Sequence, residues 1–135
     1  MTSRTDDERP DARMPNKRLI GMFRVGTILF SVLIAWLAFR PSEGVEAGLP
    51  WDKANHAAAF LVWTILVGVS WPRAGLVRLA ALMLGLGIGI ELIQGLPSVG
   101  RDADVWDVVA DMTGFAVGWT VLALLDLRRR LGLTG

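Results

Sequence analysis

Apolar positions in this chain collect into four long runs, at residues 19–39, 55–71, 74–96 and 105–127. They do not follow the short periods of a half-buried helix or strand. Each run approaches the roughly 20 residues that a helix needs to cross a bilayer core. The pattern predicts an all-α polytopic membrane protein, a four-transmembrane-helix bundle. Residues 1–18, rich in charge and poor in bulky apolar side chains, are expected to form a disordered cytoplasmic tail. Residues 19–127 make the membrane domain, and residues 128–135 form a basic cytoplasmic C-terminus.

The breaks between runs carry turn chemistry. Pro41, Gly44, Gly48 and Pro50 punctuate the first connection, Trp71-Pro72-Arg73 the second, and residues 97–102 the third. Trp51, Trp63 and Trp71 include candidates for the headgroup level, which indole favours. Arg24, near the start of the first run, can snorkel back toward headgroups. A cleaved signal peptide is the alternative for that run. The run is longer than a usual signal core, and no small-x-small cleavage pair follows it, which favours an anchor.

Basic residues set the orientation. Arg13, Lys17, Arg18, Arg73, Arg78 and Arg128, Arg129, Arg130 flank the runs on one side, against Arg40, Lys53 and Arg101 on the other. The positive-inside rule then puts both termini in the cytoplasm. Composition agrees: of 135 residues, 53% are hydrophobic, and the mean hydropathy is +0.46. A net charge of +1 supplies no basic surface for nucleic acid, and the lack of cysteine excludes disulfides, thiolate metal sites and a cysteine nucleophile.

This topology gathers the ionisable residues. Asp52, Lys53 and His56 stand at the outer end of the second run, Glu91 and Gln94 at that of the third. Arg101, Asp102, Asp104, Asp107 and Asp111 begin the fourth. At about 1.5 Å per residue, Asp111 lies roughly 10 Å deeper than Asp104, and Glu91 roughly 9 Å in from Pro97. A charge at the centre of a span costs about 2.5 to 3.5 kcal/mol, so such carboxylates must be paired, protonated or wetted. Asp52 and His56, four apart, share a helix face, as do Asp104, Asp107 and Asp111. Gly114 and Gly118 continue near that face as G-x-x-x-G, and Gly85, Gly87 and Gly89 offer a second thin surface.

The residues allow several chemistries. Lys53 and Arg101 can hold a phosphate while Glu91, Gln94 and Asp107 orient it, with Asp104 and Asp111 as further binding candidates. His56, oriented by Asp52, can act as general base or acid, with Glu91 and either Asp107 or Asp111 supplying the second carboxyl. Asp52 and Asp104 also stand where helices begin, so each has a purely structural role as a cap. One histidine with carboxylates can hold a hard divalent ion with waters; zinc is less favoured with a single histidine. No cofactor can be named from the residues, and catalysis is left open.

Three blocks resemble the VanZ-like family of small bacterial membrane proteins: D-K-A-N-H-A-A-A-F (residues 52–60), E-L-I-Q (residues 91–94) and R-D-A-D-V-W-D-V-V-A-D-M-T-G-F-A-V-G (residues 101–118). Together they cover most of the chain beyond the first run. The chain departs from the family pattern at Asp111, where asparagine is usual. The resemblance implies a multi-pass protein of the bacterial plasma membrane and a link to tolerance of the glycopeptide teicoplanin, but no defined reaction. The expected partners are membrane lipids or lipid-linked cell-wall precursors, with homo-oligomerisation as an option. A hydrolase or transferase acting on such lipids, and an ion- or proton-coupled carrier, are the competing expectations.

Overall fold

The computed structural model describes residues 17–39, 50–100 and 102–132. Residues 1–16 of the expected N-terminal tail, most of the first connection, Arg101 and the last three residues lie outside the described residues, whereas Lys17 and Arg18, expected in that tail, and Arg128, Arg129 and Arg130, expected in the C-terminal segment, are helical. The described chain is all-helical: α1 (Lys17–Phe39), α2 (Pro50–Ser70), α3 (Leu76–Gln94) and α4 (Val105–Arg130). Three of these, α1, α3 and α4, are long and apolar enough to cross a membrane. The polar N-terminal turns of α2, with Asp52, Lys53, Asn55 and His56, interrupt its apolar stretch and set it apart from those three.

Local chemistry marks the ends of α2, α3 and α4. α2 ends at the Pro72 turn, where Ala74 N–H donates to the Trp71 carbonyl. α3 ends at Gly95, whose N–H donates to the Glu91 carbonyl, and Gly100 then takes a φ of 67° that other residues rarely adopt. α4 starts at Asp104, which caps the helix by accepting from Trp106 N–H at 2.9 Å. It closes on Arg128, Arg129 and Arg130, which suit the negative end of the helix dipole.

Cross-helix contacts fix the directions. Thr27 bonds Ser70 and Trp63 bonds Ser31, so α1 and α2 run antiparallel. On α4, Gly114 backs onto Ala57 and Gly118 onto Leu61, so α2 and α4 run parallel; Gly87 faces Asp111 and Gly95 faces Ala103, so α3 opposes α4. The bundle is up-down-up-down. The closest pair is α2–α4, because both α4 glycines bring backbone against backbone.

The core consists of Phe60, Trp63, Val67, Leu79, Met83 and Phe115. Trp63 meets Phe60 and Phe30 edge-on, with ring centroids 5.6 and 6.3 Å apart. Trp63 is therefore a core residue and not a headgroup anchor: it is 6% exposed, and its indole N–H is satisfied by Ser31 at 3.0 Å. Arg24 reaches the end of α2, donating to the Ser70 carbonyl and lying over the Trp71 ring. The burial pattern is inverted relative to a water-soluble protein. Thr27, Thr64, Ser70, Glu91, Gln94, Asp107 and Asp111 are buried, while Met22, Val25, Leu29, Val32, Trp36 and Leu92 are exposed. Water would penalise that much open apolar surface, whereas lipid favours apolar exteriors and polar groups satisfied within.

Candidate functional site

The helix directions bring the first turns of α2, the last turns of α3 and the first turns of α4 to one end of the bundle. There the polar residues interlock. Lys53 Nζ donates to Asp104 Oδ2 and, at 2.8 Å, to Asp107 Oδ1. Lys53 and Asp104 are about two-fifths exposed, whereas the Asp107 side chain is 7% exposed. The ammonium thus bridges from the rim to a buried carboxylate. Its hydrogen bond to Asp104, together with the Trp106 N–H, holds that carboxyl below its usual range.

One turn deeper, His56 Nδ1 lies 2.9 Å from Asp111 Oδ1. Asp111 is completely buried, and its second oxygen, Oδ2, has no hydrogen-bond partner. Where Asp111 accepts from Nδ1–H, Nε2 is turned toward the rim. Nε2 stands 3.8 Å from Asp107 Oδ2, too far for a hydrogen bond. The sequence reading made Asp52 the residue that orients His56; in the structure Asp111 does so. Asp111, expected among the binding residues, is fully buried and bonded to His56. Its depth is possible because α3 presents Gly87 beside it, where a Cβ would come within 2.8 Å of Oδ2.

Glu91 and Gln94 are both buried. Glu91 Oε2 accepts from Asp104 N–H at 2.8 Å, tying the end of α3 to the start of α4. Asp52 is exposed in the first turn of α2, which begins before it, at Pro50, so it is not the cap expected there. Arg101 lies outside the described residues. Beside this cluster, between α3 and α4, runs a groove of about 270 Å³ lined by Ile88, Leu92, Val105, Val108 and Ala103, with Glu91 and Asp104 at its polar edge.

The structure therefore joins Lys53, His56, Glu91, Asp104, Asp107 and Asp111 through direct contacts, with Asp52 close to His56 and Asp107. The sequence reading did not single out Thr27, Ser31, Thr64 or Ser70, the polar residues of the bundle's middle and far end. Short hydroxyls inside apolar runs give no periodic signal, and only packing shows that Thr27 meets Ser70. The chain matches no family model, no curated protein and no solved structure. The likeness to VanZ-like proteins thus rests on the three motif blocks alone.

Proposed function

We propose that this is a four-span, VanZ-like protein of a bacterial plasma membrane, with both termini cytoplasmic, that binds the headgroup of a lipid or lipid-linked cell-envelope precursor at its outer face. The observation that carries this reading is the pairing of an apolar groove with a polar cluster at the same end of the bundle. An amphiphile lays its chain along Ile88, Leu92, Val105 and Val108 and turns its head toward Glu91, Asp104 and the Lys53 bridge. The orientation follows from charge: Lys17, Arg18, Arg24, Arg73, Arg78 and Arg128, Arg129, Arg130 gather at the opposite end. In this topology α2 also crosses the membrane, as the second of four spans. Of its polar turns, Lys53 and His56 are taken up by α4, while Asp52 and Asn55 are exposed at the outer end.

The test is binding of the purified protein to nanodiscs containing undecaprenyl phosphate or anionic phospholipid. Wild type should retain such lipids above a neutral-lipid background, and bulky substitution in the groove, Val108→Trp, should abolish the excess. Equal retention by that variant and by wild type defeats the proposal. A drug-susceptibility profile of a deletion strain then addresses the teicoplanin link.

The His56–Asp111 pair favours a second reading, a hydrolase or transferase acting on the same lipids. A buried carboxylate on Nδ1 with Nε2 turned outward is the arrangement of a general base held in one tautomer. Turnover of labelled lipid substrates that disappears in His56→Ala, in a folded protein, supports it. Absence of turnover across a broad panel leaves binding alone.

A further inference from the structure

Besides Asp111 Oδ2, which is buried against Gly87, the cluster leaves donor atoms of a second group unpaired. His56, Asp107 and the exposed Asp52 come together without hydrogen-bonding one another. One donor atom from each residue lies within 4.8 Å of the other two. Asp107 is more than nine-tenths buried, and its Oδ1 is taken by Lys53. Its Oδ2 makes no hydrogen bond and faces His56 Nε2 across 3.8 Å. That separation is too long for a hydrogen bond and a few tenths of an ångström beyond the roughly 3.3 to 3.6 Å between two tetrahedral donors each about 2.0 to 2.2 Å from one ion, a gap that a small side-chain rotation closes.

We propose that Asp52, His56 and Asp107 bind a divalent transition-metal ion, with waters completing its coordination on the exposed Asp52 side. Two carboxylate oxygens and one imidazole nitrogen form a mixed hard and borderline set, which suits Mn²⁺ or Zn²⁺ better than the all-oxygen ions. Asp111 supplies what such a site needs behind its histidine. Its Oδ1 takes Nδ1–H at 2.9 Å, which leaves the Nε2 lone pair directed at the metal. Electrostatics point the same way. Asp52, Glu91, Asp104, Asp107 and Asp111 gather around Lys53, the one fixed cation of the cluster among the described residues. A dication offsets that excess of carboxylates and gives the outer face a centre to which a phosphate can bind. The site stands on the cluster's geometry alone and does not depend on the lipid reading.

The experiment uses the full chain in detergent, stripped with EDTA and dialysed. MnCl₂ is titrated with free Mn²⁺ read by electron paramagnetic resonance, and ZnCl₂ against a chromogenic chelator. Wild type should show one saturable site for at least one of these ions, with a rise in melting temperature on loading. Asp52→Asn, an exposed change away from the hydrogen-bonded core, should keep the fold and weaken binding at least about tenfold. Asp111→Asn should weaken it by about 10- to 100-fold through the histidine it orients. No saturable site for either ion in wild type, or an Asp52→Asn variant that binds as tightly as wild type, overturns the assignment. Asp107→Asn removes a buried ligand and also a partner of Lys53, so its loss of binding counts only where circular dichroism shows native helix. Where it fails to fold, Asp52→Asn decides. The lipid retention assay, repeated without metal, separates failure of this site from failure of the groove.

Discussion

Gly114→Ala adds one methyl group and should be among the most damaging small changes in the chain. A Cβ at this position runs into the Ala57 carbonyl oxygen and sits 3.0 Å from the Ala57 Cα. Those atoms are backbone, so no side-chain rotation relieves the contact. The helices must part by on the order of 1 Å to regain ordinary separations of about 3.5 Å. Overpacking of this kind costs about 1 to 3 kcal/mol. Alanine returns about 0.5 to 1 kcal/mol through its better helix propensity. The separation also stretches the neighbouring His56–Asp111 hydrogen bond, since His56 precedes Ala57 and Asp111 lies one turn before Gly114. Weakening a bond to a buried carboxylate adds about 1 to 3 kcal/mol. The net loss should be about 2 to 4 kcal/mol.

The assay is equilibrium unfolding in mixed micelles, followed by circular dichroism and by tryptophan fluorescence. Gly85→Ala and Gly89→Ala are the internal controls, because a Cβ at either position meets nothing within 4 Å. Both should match wild type or exceed it by about 0.5 to 1 kcal/mol, the helix-propensity difference. A Gly114→Ala protein within about 0.5 kcal/mol of wild type, the usual range for uneventful surface changes, refutes the close α2–α4 contact. So does a loss at Gly85 equal to that at Gly114.

Other substitutions probe separate parts of the bundle. Ser31→Ala removes the acceptor of the Trp63 indole N–H and should cost about 1 kcal/mol in the same unfolding assay. Asp104 has its carboxyl pKa lowered by Lys53 and the Trp106 N–H, so the folded protein binds fewer protons there than the unfolded chain. Its stabilisation is fully present above the unfolded value of about 3.9 and is lost as pH falls through the lower folded value. Asp104→Asn should therefore lower stability at neutral pH and flatten the acid limb of a stability–pH curve, and an unchanged limb contradicts the Lys53 pairing. Lys53→Met should destabilise by stranding Asp107, and Asp107→Asn introduced beside it should recover part of the loss; additive losses in that double-mutant cycle rule out the coupling.

Much of this architecture was legible in the sequence because its strongest signals are one-dimensional. Run length and charge flanks predicted the helices to within a few residues at most ends; α2 is the exception, starting at Pro50, five residues before its apolar run. There the breaker reading of Pro50 failed, since proline is well tolerated in the first turn of a helix. The convergence of Asp52–His56, Glu91–Gln94 and the acidic start of α4 followed from alternating direction alone. Partner choice was not legible. Asp52 and Asp111 compete for His56; helix spacing favours Asp52, four residues away on the same helix, whereas the structure chooses Asp111 because Gly87 leaves room for it beside α3. Trp63 was equally ambiguous, because an indole inside an apolar run suits either a headgroup level or a core, and only Ser31 on the facing helix decides it.

The acidic start and glycine-rich middle of α4 are two parts of one device. Asp104, Asp107, Asp111, Gly114 and Gly118 recur at alternating spacings of three and four, so they form one stripe. Its inner half presses on Ala57, Leu61 and Thr64 of α2, and its outer half meets Lys53 and His56 of the same helix. Two parallel helices locked backbone to backbone cannot slide or spread, so side chains projecting from the turns above the lock hold fixed separations. Residues supported in this way on rigid elements keep the tolerance of about 0.5 Å that a binding or catalytic constellation requires. The glycines therefore set the 2.9 Å spacing of His56 and Asp111, and a methyl at Gly114 should loosen His56 before it unfolds the bundle. Titrating the His56 ring by NMR in Gly114→Ala under native conditions tests that link. An imidazole spectrum and titration identical to wild type, in a protein measurably destabilised, separates the packing stripe from the polar one.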